Sequence, residues 1–227
     1  YYKKALTQNN KLCKILAKKS MTEDKVITEL QSIKLNYLIG TPFKEWNSDL
    51  SKTLEKNITD NNSLFQFTIK NKAIAVYLSY GATKKADSLI RTLNVKYFEN
   101  TSEIELFEAV HNIALLKIQQ GYYNQAIDHL HDHQKKYLKA LKEVSTTEKH
   151  KQSKRYNQRK DILNRHYAEL LDLETLVLLK SGKFSTAKTK NHQNSIWILK
   201  NLNKKDLAYV DNQILNAKIL LKQENFD

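Results

Sequence analysis

The residues of this 227-residue sequence best suited to chemistry form the run "DHLHDH", residues 128 to 133. On a helix His129 and His133 lie four apart and share one face, with Asp132 adjacent and His131 turned away. That spacing holds a divalent metal when a third ligand comes from elsewhere. No HExxH pattern and no carboxylate at the usual offset accompanies the pair. The pattern therefore predicts no metal site and leaves exposed histidines near a helix end, where a partly charged imidazole suits the dipole. Cys13, the only cysteine, excludes an internal disulfide and a cysteine-rich zinc site, and it has no histidine beside it. GxxxxGK, GxGxxG and GxSxG are all absent. The expectation is no catalytic residue, no cofactor and a protein that is not an enzyme.

The elements that would have to position a site are helices. Four glycines and one proline are too few for a sandwich, a barrel or a doubly wound sheet, whose many turns need such residues. A 41% hydrophobic chain of this length buries the core of one large domain or of an array of small units. Lysine or asparagine interrupts every apolar run before the ~18 to 20 residues that a membrane-spanning helix requires. The expectation is an all-α fold with no transmembrane segment and a cytoplasmic location. The sequence opens on "YYKKAL", which reads as the interior of a helix, so residues 1–227 are expected to be a single domain within a longer chain.

The glycines recur in step. "LNYLIGTPFKEW" at Gly40, "AVYLSYGATKKA" at Gly81, "LLKIQQGYYNQA" at Gly121 and "LVLLKSGKFSTA" at Gly182 are followed by "KILLKQENFD", with Glu224 at the glycine position. The steps are 41, 40, 61 and 42 residues. Each copy offers an amphipathic helix, a glycine to close it in the left-handed conformation, and in three copies an alanine five later (Ala86, Ala126, Ala187), small enough for close helix packing. Pro42 would start the next helix, where proline is tolerated. A helix pair of this size cannot bury its apolar face alone, so copies must stack.

This pattern resembles the tetratricopeptide repeat. The copy at Gly121 carries the resemblance best, with Ile113 and Ala114 at the leucine-then-small position, Tyr123, Ala126 and Leu130. The Gly182 copy matches in Phe184 and Ala187 but has Glu174 and Thr175 where the apolar-small pair belongs, and the Gly81 copy has Thr83 in place of the aromatic. The period exceeds the family's usual ~34 residues. The resemblance implies an α-solenoid of about four or five stacked antiparallel helix pairs, wound as a right-handed superhelix.

One pair is about 21 residues too long, and the excess coincides with charge. Residues 135 to 160 hold ten Lys and Arg against Glu143 and Glu148, a net of +8 out of the chain's +14. Ser145-x-x-Glu148 reads as a capping box opening a helix through Arg159. The segment is then a basic helical extension, either two overlong helices or a loop between them. Its simplest role is a solvated surface. The functional alternative is an acidic partner or nucleic acid gripped by Lys149, Lys151, Lys154, Arg155, Arg159 and Lys160, with Tyr137 and Tyr156 as interleaved aromatics.

In the family the first helices of successive pairs line a concave groove that binds peptides or partner helices. The resemblance places Glu108, His111, Asn112, Leu115 and Gln119 in that groove before Gly121. It places Thr68, Asn71, Lys72 and Ala75 there before Gly81, and Glu169, Asp172, Leu176 and Lys180 before Gly182. Asn71 and Asn112 are the first choices to hydrogen-bond a bound chain's backbone, with Lys72 meeting a carboxylate. The expected function is a protein- or peptide-binding scaffold or regulatory module. A homo-oligomer through the incomplete last copy is a further expectation.

Overall fold

A computed structural model describes residues 2–19, 22–57, 64–93, 103–146, 154–202 and 204–224. Among these residues the chain is all-helical, with ten helices: α1 (Tyr2–Lys18), α2 (Thr22–Leu38), α3 (Phe43–Asn57), α4 (Leu64–Ser79), α5 (Thr83–Arg91), α6 (Glu103–Gln119), α7 (Tyr123–Thr146), α8 (Lys154–Lys180), α9 (Phe184–Asn201) and α10 (Leu207–Glu224). Among the described residues no helix is long and apolar enough to cross a membrane.

The four glycines are the punctuation. Each follows an even-numbered helix, and each has a positive φ, between 70° and 82°. At Gly121 the chain closes α6 with paired bonds: Gly121 N–H donates to the Ile118 carbonyl (3.2 Å) and Tyr122 N–H to that of Lys117 (2.8 Å). This is the Schellman arrangement, which satisfies carbonyls that the helix end leaves open. The same pair of bonds recurs at Gly81 and Gly182. The alanine five residues on then donates a helical bond to the carbonyl four residues back, as Ala126 N–H does to the Tyr122 carbonyl. Ala86, Ala126 and Ala187 are all completely buried, so a larger side chain at any of them would push the paired helices apart.

The chain divides into two compact units, Tyr1–Asn100 and Thr101–Asp227. In the first, α2 packs against α1, α3 and α4, and α5 folds back on α4. The α4 helix is buried on nearly every side through Phe67, Ile69, Ala73, Ile74, Val76, Tyr77 and Leu78. Pro42 stands directly before α3, as its fixed φ suits.

In the second unit α8 is the hub. It packs against α6, α7, α9 and α10, while α6 pairs with α7 and α9 with α10. Leu178, Ala187, Leu215 and Ile219 form one apolar cluster, and Ala168, Ile198 and Ala208 another. Phe107 stacks on His166 with ring centroids 3.8 Å apart, and Tyr137, 1% exposed, meets both rings edge-on. Its hydroxyl donates to the Glu103 carbonyl.

The excess length lies in α7 and α8, of 24 and 27 residues against 17 in α6 and 18 in α9. The capping-box expectation at Ser145 is corrected. Ser145 lies inside α7, where its hydroxyl donates to the Leu141 carbonyl, so it does not open α8 (Lys154–Lys180). A serine hydroxyl serves either a cap or its own helix four residues back, and here it does the latter. Glu148, Lys149 and Lys151 lie outside the described residues.

The glycine turn predicts a specific cost. Nothing lies within 4 Å of a methyl placed on Gly121, so Gly121→Ala meets backbone strain alone. It is expected to lower unfolding free energy by about 1–2 kcal/mol, and Gly121→Asn by less, both read from urea denaturation. An unchanged midpoint for the alanine variant would contradict this account of the turn.

Candidate binding groove

In the second unit, α6, α8 and α10 share a cavity of about 630 Å³. Its apolar wall is Leu173, Leu176, Leu207, Ala208 and Leu215. Around that wall stand four carboxylates, Glu169, Asp172, Asp206 and Asp211, with His111, Arg165, Lys205 and Lys218. In a chain of net charge +14, four acids against Arg165, Lys205 and Lys218 leave this cavity slightly negative.

Two of these acids are held by the scaffold. Asp206 caps α10, accepting from Ala208 N–H (3.1 Å), and pairs with Arg165 Nε at 2.8 Å. Asp172 Oδ1 accepts from Asn194 Nδ2 (2.6 Å) and Asn212 Nδ2 (2.9 Å). Asn212 Nδ2 also lies 3.1 Å from Asn191 Oδ1, and Asn194 Nδ2 donates to the Ala168 carbonyl. These asparagines are buried, so one carboxylate ties α8 to α9 and α10 from inside. Burial raises its pKa to about 6 against the opposing asparagine bonds.

Glu169 has no such support. Burial, followed by the nearby charges of Asp211, Asp172 and Asp206, pushes its pKa up to about 7, against the pull of Arg165. Near neutral pH it is therefore divided between charged and neutral forms, and a cation entering the cavity would favour the charged one.

Of the expected groove residues, His111, Glu169, Asp172 and Leu176 come together here. Glu108, Gln119 and Lys180 are exposed but do not line the cavity, and Lys72 is half-buried in the other unit. Asn71 and Asn112 require correction. They are 1% and 2% exposed, and Asn71 Nδ2 donates to the Phe67 carbonyl within its own helix. Side chains packed this deeply cannot reach an extended chain laid on the surface. Arg165, Asp206, Asp211, Leu215 and Lys218 were not anticipated. For three of them a signal exists: counted back from Glu224 by the offsets used for the glycines, positions 13, 9 and 6 are Asp211, Leu215 and Lys218.

The histidine run is also corrected. Residues 129 to 133 lie inside α7, not at its end, and His129, His131 and His133 are half-buried. His129 Nε2 donates to the Val110 carbonyl at 3.1 Å, and its ring meets that of His133 at 4.8 Å. Burial and then the neighbouring His129 push His133 down to about 4. His131 Nε2 instead reaches Glu174 Oε1 (3.1 Å) on α8. Glu174, 3% exposed, also accepts from Gln134 Nε2 (3.1 Å) and Lys190 Nζ (2.8 Å). Burial alone would raise its pKa, but those donors outweigh it and hold the carboxylate low. Among the described residues no group of three or more His, Cys, Asp or Glu is placed to hold a metal ion.

On the basic segment, Arg159 is exposed and Lys160 half-buried, and Lys154 and Arg155 belong to the first turn of α8. Lys135, Lys136, Lys139 and Lys142 stand exposed along α7. No protein-family model matches this chain, and no curated protein or solved structure matches it.

The titrations give a paired prediction. Glu169 holds a proton in the folded state that the unfolded chain, at an ordinary carboxylate pKa, releases; the stability this supplies is lost as pH rises through about 7. His166, pushed down to about 4 by burial and then by His111 and Arg165, stays neutral where the unfolded chain takes a proton, so its penalty grows as pH falls below about 6.5. Relative to the native chain, Glu169→Gln should therefore gain melting temperature at pH 8 more than at pH 5. His166→Phe, which keeps the stack on Phe107, should gain more at pH 5 than at pH 8. Shifts of equal size at both pH values would contradict these assignments.

Proposed function

We propose that this protein is a non-catalytic scaffold or regulatory module of the tetratricopeptide-like class, a right-handed solenoid of stacked helix pairs that binds a protein or peptide segment in the groove of its second unit. One observation carries the reading. Counted back from Gly182 and from Glu224, offsets 13, 9 and 6 supply one cavity: Glu169, Leu173 and Leu176 from α8, and Asp211, Leu215 and Lys218 from α10, with His111 of α6 and Asp172 of α8 joining them. Residues at equal offsets in stacked helices form a continuous strip, the surface that repeat proteins use for extended ligands.

The chemistry of that strip favours a segment carrying an apolar side chain beside lysine or arginine. Leu173, Leu176 and Leu215 take the apolar side chain, and Glu169 and Asp211 face the cation. Charging Glu169 is coupled to that contact, so binding should strengthen as pH rises through about 7.

A second reading is supported by the exposed lysines 135, 136, 139 and 142 on α7. They would grip an acidic protein or a nucleic acid, and that binding would weaken steeply with salt.

The test is selection from a random peptide display library on the purified chain. Enriched peptides are expected to combine an apolar residue with Lys or Arg. Glu169→Gln should weaken them about five- to tenfold, the worth of roughly 1 kcal/mol, and Leu176→Arg should abolish binding. Enrichment of acidic peptides that are lost when the four α7 lysines become glutamine would overturn the groove reading in favour of the second.

A further inference from the structure

The α10 helix carries two apolar faces. One is spent inside the unit: Ala208, Leu215 and Ile219 are buried against α8 and α9, with Asn212 between them. The other faces solvent. Leu207 is 76% exposed, Val210 46%, Ile214 49% and Leu221 60%, and Ala217 is exposed with them. Their spacing is 3, 4, 3, 4, the repeat by which two helices present a shared seam. Large apolar side chains in one solvent-facing stripe, unlike singly scattered ones, mark an interaction surface.

We infer that this stripe is a self-association surface, on which α10 packs antiparallel against α10 of a second copy. Charge favours a second copy of this chain. In a chain of net +14, α10 is neutral, with Asp211 and Glu224 against Lys218 and Lys222, so two copies meeting here avoid the repulsion that other surfaces would impose.

The flanking residues are also self-complementary. With Val210 opposite Leu221 of the second copy and Ile214 opposite Ala217, the heptad geometry brings Asp211 to Lys218 of the second copy, and symmetry makes that contact twice. A parallel pairing would set Lys218 beside Gln213 instead and forfeit both ion pairs. One helix pair covers less than the ~1,200 Å² of a standard interface, so the dimer should be weak and concentration-dependent. Leu207, Asp211 and Lys218 also line the groove, so a dimer formed here would compete with a groove ligand for these residues.

The experiment is sedimentation velocity on the full chain over a wide concentration range. The native chain should pass from monomer to dimer as concentration rises. Ile214→Asp, with unchanged helical circular dichroism, should stay monomeric. Asp211→Lys should weaken the dimer about tenfold, both exposed ion pairs being lost, and adding Lys218→Asp should restore it. The charge pair keeps the test decisive should Ile214→Asp unfold α10. A chain that is monomeric throughout would overturn the inference and leave the stripe to a different partner. So would a dimer indifferent to Ile214→Asp, or a double charge exchange that fails to restore association.

Discussion

The structure depends on a single-residue constraint: after each even-numbered helix from α2 to α8, one residue must adopt a left-handed backbone conformation so that the chain can reverse. A side chain there costs about 1–2 kcal/mol, and the sequence spends all four of its glycines on these positions. Reversal then puts the next helix alongside the last, and after Gly81, Gly121 and Gly182 the fully buried alanine five residues on sets how closely the two approach. Neighbouring helices, cavity and exposed stripes all take their place from this repeated geometry.

Inside that frame polar groups do work normally left to apolar packing. Glu174 and Thr175 occupy the place where the repeat pattern asks for an apolar and a small residue, yet both are buried. Glu174 is satisfied by Lys190, Gln134 and His131, joining α8 to α7 and α9, while Asp172 joins α8 to α9 and α10 through buried asparagines. A buried carboxylate left without partners would cost several kcal/mol, so each of these contacts requires its helices in one register. Asparagine Nδ2 groups and a lysine therefore fix the neighbours of α8 more specifically than leucine would.

The helices and their turns were legible in the sequence because their cause is local. A glycine at steady spacing followed by alanine needs no knowledge of distant residues. Part of the cavity lining was legible: the offsets from Gly182 give Glu169, Asp172 and Leu176, and offsets 13, 9 and 6 from Glu224 give Asp211, Leu215 and Lys218. Arg165 and Asp206 gave no such signal, because their pairing across 41 residues exists only after α8 and α10 meet. Asn71, Asn112 and the histidines of α7 were misjudged for a related reason. A polar residue on a helix has no visible side of burial until its neighbours are known, and here those neighbours bury it. Ser145 failed differently, since its hydroxyl had two local uses and the cap was the one not taken.

The central claim is that the strip across α6, α8 and α10 is the surface the protein uses. An amide NMR titration with the tightest selected peptide tests it without altering a residue. The account predicts shift changes concentrated near His111, from Arg165 to Leu176 and from Ala208 to Lys218, with residues 135 to 142 of α7 unmoved. Changes concentrated on residues 135 to 142, with the cavity residues silent, would contradict it.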